Sequence, residues 1–145
     1  MSTILLVDDD PEARWALQLA LEADGHHVVL AVNGQDALQK AALQHPQLVI
    51  TDWNMVEMDG IELCCRLRCR PALSDIPIIL LSAMEEPEMA PRHWSAFLRK
   101  PVSLEALLSA VNLFIARRLS VRHLPRSGEQ ALPFRWRAVD SRCWP

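Results

Sequence analysis

Polar side chains that could do chemistry together follow four short apolar runs of this 145-residue sequence. They comprise three carboxylates, a hydroxyl and an ammonium group, on Asp8, Asp9, Asp52, Ser82 and Lys100. Carboxylates that lie close together repel one another and need a counter-charge to remain ionised. A hard divalent cation meets that need, and Mg²⁺ suits a site of few carboxylates completed by water and phosphate. If these side chains meet, the sequence therefore predicts a magnesium site.

The same residue types are those that phosphoryl transfer uses. A carboxylate such as Asp52 can attack phosphorus and carry an aspartyl-phosphate. The cation and Lys100 would neutralise the charge of the transferring group, and Ser82 would donate a hydrogen bond from its hydroxyl. Each residue alone has a plainer explanation, such as a helix cap, a turn or a solvated charge. The joint pattern is what predicts the chemistry.

These residues can meet only if the apolar runs are parallel strands of one sheet, whose carboxyl ends share an edge. Strands are predicted at residues 3–8, 27–32, 47–52, 76–81 and 96–99. Helical patterns alternate with them, and the last helix is predicted at residues 102–119. This alternation predicts a doubly wound α/β fold with five parallel strands and helices on both faces. Pro87 and Pro91 interrupt the pattern before the fifth strand, so the fourth helix is predicted to be short or distorted.

Charge and composition divide the chain near residue 119. Half of the residues are hydrophobic, which is enough for one domain with a full core. The net charge is −3, but residues 117–145 contain seven arginines and two acidic residues. We expect residues 1–119 to form one domain and residues 120–145 to form a basic, poorly ordered tail. No helix-turn-helix spacing is present, so no DNA-binding output domain is predicted.

Several features favour a cytoplasmic protein. No apolar run is long enough to span a bilayer, and the N-terminus lacks the basic flank and cleavage site of a signal peptide. The four cysteines show no C-x-x-C spacing, which favours free thiols in a reducing compartment. The tail segment Phe134-Arg-Trp-Arg137 could favour nucleic acid or an anionic membrane surface. No groove-reading motif accompanies it, so nucleic-acid binding is not the favoured prediction.

The order Asp8-Asp9, Asp52, Ser82 and Lys100-Pro101 resembles the receiver domain of two-component response regulators. The resemblance covers residues 3–116. The run Asp52-Trp-Asn-Met, followed by Met58-Asp-Gly-Ile-Glu-Leu63, is especially similar to chemotaxis-type receivers. This resemblance implies a flavodoxin-like fold with strand order 2-1-3-4-5. It also implies an output face formed by the fourth helix, the fifth strand and the last helix.

The resemblance further implies a role for each residue of the site. Asp52 would be the phosphoacceptor, and Lys100 and Ser82 would assist the transfer. Ser82 and Phe97 would take the switch positions, and the Lys100-Pro101 bond would be cis. The following groups would hold Mg²⁺ or Mn²⁺: Asp9, Asp52, the backbone carbonyl of Asn54, and, through water, Asp8.

The sequence departs from the family pattern in three places. Val56 stands where a proline is usual after the phosphoacceptor turn. Phe97 lacks the hydroxyl that a tyrosine would offer. The segment from Ser82 to Lys100 is shorter than usual. This difference affects the output face, to which the fourth helix contributes, and not the phosphorylation site.

The favoured prediction is a receiver that accepts a phosphoryl group on Asp52 from a sensor histidine kinase or a phosphotransfer protein. It would catalyse this transfer and a slow hydrolysis, and would switch a surface that binds an unknown downstream protein. Two alternatives remain: a phosphorylation-independent adaptor with a receiver fold, and nucleic-acid association through the tail. A flavodoxin-like FMN binder is disfavoured, because the acidic strand ends would repel the cofactor phosphate.

Overall fold

The structure, a computed structural model, describes residues 2–88 and 92–122, the last four as backbone only. Its strands are β1 Thr3–Val7, β2 His27–Ala31, β3 Leu48–Asp52, β4 Ile78–Ser82 and β5 Ala96–Arg99. Its helices are α1 Pro11–Ala23, α2 Gly34–Gln44, α3 Gly60–Arg68 and α4 Leu104–Arg122. In the described part of the chain, no helix is both long and apolar enough to cross a bilayer.

The five strands form one parallel sheet in the order β2-β1-β3-β4-β5, which confirms the predicted fold class and strand order. All residues of β3 and β4 are buried, as expected for central strands covered on both faces. The register places Val7 beside Thr51 and Asp52 beside Leu81. The carboxyl ends of β1, β3 and β4 therefore lie at the same edge of the sheet.

Alternate strand residues pack against two layers of helices, as the period of two in a β-strand requires. On one face, Leu5, Val49 and Leu80 pack among α2 and α3, in what we call the α2–α3 core. On the other face, Leu6 and Ile50 pack among α1 and α4, in the α1–α4 core. Both layers leave the carboxyl edge of the sheet open to polar side chains.

Local sequence sets where the helices begin. The Asp10 carboxylate accepts a hydrogen bond from the Glu12 N–H, and Pro11 occupies the first turn of α1. Asn33 and Asp59 cap α2 and α3 in the same way. Such caps satisfy backbone N–H groups that have no partner inside the helix.

The predicted element boundaries differ from the observed ones by up to three residues. The last helix begins at Leu104 rather than 102 and continues to Arg122 rather than ending at 119. Residues 120–122 of the predicted tail are therefore helical, and the rest of that tail lies outside the described residues. Between β4 and β5, residues 83–88 and 92–95 contain no helix at all, where a short or distorted fourth helix was predicted.

The side chain of Arg68, which is 8% exposed, ties α3 to this helix-free connection. Its guanidinium donates to the carbonyl of His93 at 2.9 Å and to those of Ser74 and Ile76 at 3.0 and 2.6 Å. Nη2 lies 3.4 Å from the hydroxyl of Ser95. Buried carbonyls outside regular structure need donors from elsewhere, and a single arginine carries five N–H groups. Arg68 thus links the loop before β4, through Ser74 and Ile76, to the connection before β5, through His93.

We expect Arg68→Met to lower the free energy of unfolding by about 1–3 kcal/mol, because buried carbonyls lose their donor while apolar packing is largely kept. Arg66→Met is the matched control on the same helix. Arg66 pairs at the surface with Glu62 at 2.8 Å, so its loss costs less than about 1 kcal/mol. Urea denaturation measures both, and equal effects of the two substitutions would contradict the role of Arg68.

Candidate functional site

Three carboxylates converge at the carboxyl edge of the sheet. Asp8 directly follows β1, Asp9 comes next, and Asp52 is the last residue of β3. One carboxylate oxygen from each lies within 4.8 Å of the others. Asp8 and Asp52 are buried, whereas Asp9 is exposed. The structure therefore brings together the three acidic residues that the sequence predicted to meet.

The electrostatic cost of this cluster is visible at Asp8. Burial raises the pKa of its carboxyl above the usual value, and the negative charges of Asp52 and Asp9 add to the rise. The N–H of Asp10, which donates to Asp8 Oδ1 at 2.9 Å, and the charge of Lys100 act in the opposite direction. Since the pKa is higher in the folded protein, ionised Asp8 opposes folding at neutral pH, and the penalty fades as the pH falls through the raised pKa.

Lys100 places a positive charge beside the three carboxylates. Its Nζ lies 3.0 Å from Asp52 Oδ1. The residue directly follows β5, and its backbone N–H donates to the carbonyl of Ser82 at 2.8 Å. The Lys100-Pro101 peptide bond is cis, as the resemblance implied. Lys100 is thus held against Asp52 by both its strand and its ion pair.

The two predicted switch residues lie on neighbouring strands. Ser82 ends β4 with no exposed surface, and its Oγ accepts a hydrogen bond from the Met84 N–H at 2.9 Å. Phe97 lies on β5 opposite Leu80, partly buried against the α2–α3 core. Asn54 lies exposed in the loop after β3, two residues beyond Asp52.

A close backbone approach fixes the end of β3. The Gly60 N–H donates to the carbonyl of Trp53 at 2.8 Å, and a Cβ on Gly60 would come within 2.3 Å of the Asp52 carbonyl oxygen. Only glycine permits that approach. The Trp53 N–H in turn donates to Leu81 at 2.8 Å. No pattern in the sequence marked this contact.

The sequence analysis did not identify Arg14, a residue of α1 that contacts the backbone of the site. Its Nη1 donates to the backbone carbonyl of Asp8 at 2.7 Å. The interaction links α1 to the end of β1 and brings a positive charge near the acidic cluster. No sequence pattern marks such a contact, because it depends on how α1 packs against the sheet.

The residues present fit a hard divalent cation. The cluster supplies several carboxylate oxygens, the ligand type that Mg²⁺ prefers, and it leaves room for water because Asp9 faces solvent. Burial, and then the charges of Asp52 and Asp9, raise the pKa of Asp8, and a bound cation would oppose both effects. Asp8, Asp9 and Asp52 could therefore hold Mg²⁺.

Residues 4–112 match the response regulator receiver domain. The chain belongs to this family. It is thus a receiver domain of the kind found in two-component signalling systems.

Curated relatives agree with this assignment. The chain is 38% identical over 86 residues to the transcriptional regulatory protein AfsQ1 of Streptomyces coelicolor, covering 59% of this chain and 37% of that one. It is 35% identical over 118 residues to the response regulator MprA of Mycolicibacterium vanbaalenii, covering 79% and 50%. The chain therefore spans half or less of these two regulators. A 14.6 kDa protein of Leptolyngbya boryana is 37% identical, with 77% and 88% covered.

Solved receiver structures share the fold. The Vibrio cholerae chemotaxis protein CheY4 aligns with a TM-score of 0.73 and 29% identity, covering 79% of this chain and 98% of that one. The signal receiver domain of a histidine kinase from Syntrophus aciditrophicus aligns with a TM-score of 0.75 and 32% identity, covering 86% and 96%.

We expect Asp8→Asn to stabilise the metal-free receiver by about 0.5–2 kcal/mol, because it removes a buried repelling charge and keeps an oxygen for the Asp10 N–H. Mg²⁺ should raise the Tm of the wild type more than that of the variant, since a ligand of the folded state stabilises by mass action. Thermal melts in chelator and in excess Mg²⁺ measure both effects. Asp75→Asn, at an exposed residue, is the control, and a lower Tm for Asp8→Asn in chelator would contradict the expectation.

Proposed function

We propose that this receiver accepts a phosphoryl group on Asp52 from a sensor histidine kinase or a phosphotransfer protein. It then switches a surface that binds a downstream protein. The observation that carries the proposal is the contact of 3.0 Å between Lys100 Nζ and Asp52 Oδ1, beside two further carboxylates. A buried carboxylate with one oxygen held by an ammonium group, next to a cation site, is arranged for phosphoryl transfer.

The transfer uses the two oxygens of Asp52 differently. Lys100 holds one oxygen, and a carboxylate has a second oxygen that can attack the phosphorus of a phosphohistidine. A bond forms between that oxygen and phosphorus, the bond between phosphorus and the imidazole nitrogen breaks, and the departing imidazole takes up a proton. Asp9, Asp52 and the Asn54 carbonyl would hold Mg²⁺, with Asp8 acting through water, and the bound ion would supply positive charge near the phosphoryl oxygens. Lys100 neutralises a further share of that charge.

Ser82 provides the link from chemistry to switching. A hydroxyl can accept one hydrogen bond and donate another. Its oxygen accepts from Met84, so its hydrogen can be donated to a phosphoryl oxygen on Asp52. Phosphorylation therefore favours an arrangement in which Ser82 turns toward the site and Phe97 shifts inward, which is a change in population between two states.

Phosphorylation is tested by intact mass after incubation with acetyl phosphate and Mg²⁺. We expect the wild type to gain the mass of one phosphoryl group, and we expect Asp52→Asn to gain none. Asp59→Asn is the matched control, because Asp59 lies in the next loop and asparagine caps α3 equally well. An unmodified wild type, or a modified Asp52→Asn, would sink the proposal.

Removal of the ammonium group should slow the chemistry without abolishing the fold. We expect Lys100→Met to lower the rate of phosphorylation by about 10²–10³-fold, the cost typical of losing one group that stabilises charge in the transition state. Lys40→Met is the control, since Lys40 pairs with Asp36 on α2 at 3.2 Å. Single-turnover labelling with acetyl phosphate gives the rates, and wild-type speed in Lys100→Met would argue against its role.

A phosphorylation-independent adaptor is the second candidate. It is favoured by the absence of a helix in the described residues between β4 and β5, because this changes the face that the resemblance assigns to output. An adaptor would bind its downstream partner equally well as wild type and as Asp52→Asn. Nucleic-acid association through the tail and a cytoplasmic location stay predictions.

A further inference from the structure

The connection that leaves Ser82 begins with residues 83–86, which we call the strap. At its upper end, near the end of β5, the Ala83 carbonyl lies 3.4 Å from Arg99 Nη2, and Glu85 Oε1 lies 3.9 Å from Arg99 Nη1. At its lower end, Glu86 contacts residues that precede β5. The strap therefore contacts residues at both ends of β5.

The strap is short. Glu86 lies four residues beyond Ser82, so their Cα atoms are at most about 14 Å apart in any conformation of the chain. Residues 83 and 84 form a bend. Ser82 and Glu86 are therefore linked by a short stretch of backbone.

The upper end is attached to the switch serine. The Met84 N–H donates to Ser82 Oγ at 2.9 Å, which fixes the strap to the hydroxyl that would bind the phosphoryl group. If Ser82 rotates toward the phosphoryl group, this hydrogen bond weakens or the strap moves with it. Both outcomes change the constraint on Glu86, which lies two residues beyond Met84.

The lower end is held by a single carboxylate. Glu86 Oε2 accepts from Trp94 Nε1 at 2.8 Å and from Arg92 Nη1 at 2.6 Å. Trp94 is 4% exposed and packs in the α2–α3 core, so its indole N–H needs an acceptor inside the protein. The hydrogen bonds from Trp94 and then Arg92 hold the pKa of Glu86 below its usual value, so the carboxylate is ionised at neutral pH.

We propose that Glu86, Arg92 and Trp94 form a latch that holds the strap in the arrangement of the unphosphorylated receiver. Latch closure and engagement of the phosphoryl group by Ser82 oppose each other through the short strap, which is hydrogen-bonded to Ser82 at one end and to Trp94 at the other. The proposal rests on the function proposed above. It places the response to phosphorylation at the lower end of β5, where Trp94 and Arg92 become available when the latch opens.

Beryllofluoride with Mg²⁺, which mimics the phosphoryl group on an aspartate, tests the coupling. Because coupling between two sites is reciprocal, a variant without the latch should bind beryllofluoride more tightly. We expect Glu86→Ala to bind it at least about fivefold more tightly than the wild type, the low end of usual couplings. Glu88→Ala, at an exposed glutamate two residues along, should bind as the wild type does.

Two further variants separate the latch from a general loosening of the fold. Trp94→Phe keeps a buried ring but removes the indole N–H, so it should shift the affinity in the same direction as Glu86→Ala. Glu86→Gln keeps an oxygen that can accept from Trp94 but loses the charge that Arg92 binds, so its affinity should lie between those of the wild type and Glu86→Ala. A melt followed by circular dichroism establishes that each variant is folded.

The reverse effect is measured on the wild type by following the indole N–H signal of Trp94 in nuclear magnetic resonance spectra. Beryllofluoride should speed the exchange of this proton with solvent, and Asp52→Asn should show no change. Equal beryllofluoride affinity in wild type, Glu86→Ala and Trp94→Phe would overturn the latch while leaving the phosphorylation site intact. A wild type that binds no beryllofluoride would overturn both the latch and the proposed function.

Discussion

Mutual repulsion of three carboxylates at one edge of a parallel sheet is the constraint on which the site depends. Asp8 and Asp52 are held together because β1 and β3 pair directly, and each strand is buried in apolar layers on both sides. The burial of those strands is favourable enough to offset the repulsion at their ends. The protein therefore keeps a ready excess of negative charge, which a cation and Lys100 can meet.

The two sides of the sheet are built by different means. On the β1 and β3 side, apolar packing and the close approach of Gly60 fix the carboxylates, so little movement is possible. On the β5 side, the connection from Ser82 is held by hydrogen bonds that Arg68 donates to His93 and that Glu86 accepts from Trp94. Individual hydrogen bonds that water can replace contribute little net free energy, whereas core packing is cooperative. The three carboxylates therefore lie on the side that apolar packing fixes, whereas Lys100 reaches them from the side that hydrogen bonds hold.

The contrast between apolar packing and long-range hydrogen bonds also explains which features the sequence could predict. Apolar runs and capping residues are local signals, and they predicted all five strands, their order through the family resemblance, and the meeting of Asp8, Asp9 and Asp52. The end of α4 was placed too early, because apolar residues lie on several sides of that helix and give no clear period. Arg14 and Arg68 were missed, because each acts on backbone carbonyls that only the folded chain brings within reach. Long-range contacts from side chain to backbone leave no pattern in a single sequence.

The described residues between β4 and β5 form no helix, so their backbone groups need hydrogen-bond partners from elsewhere. A helix satisfies its own carbonyls, so its loss exposes backbone groups that need other donors. In this connection, Arg68 supplies the donor for the His93 carbonyl, and the Ser95 hydroxyl accepts from the Ile78 N–H. The same guanidinium donates to Ser74 and Ile76 before β4, so one side chain of α3 joins the segments that lead into β4 and β5. The described residues of the connection are therefore held by side chains and not by the internal hydrogen bonds of a helix.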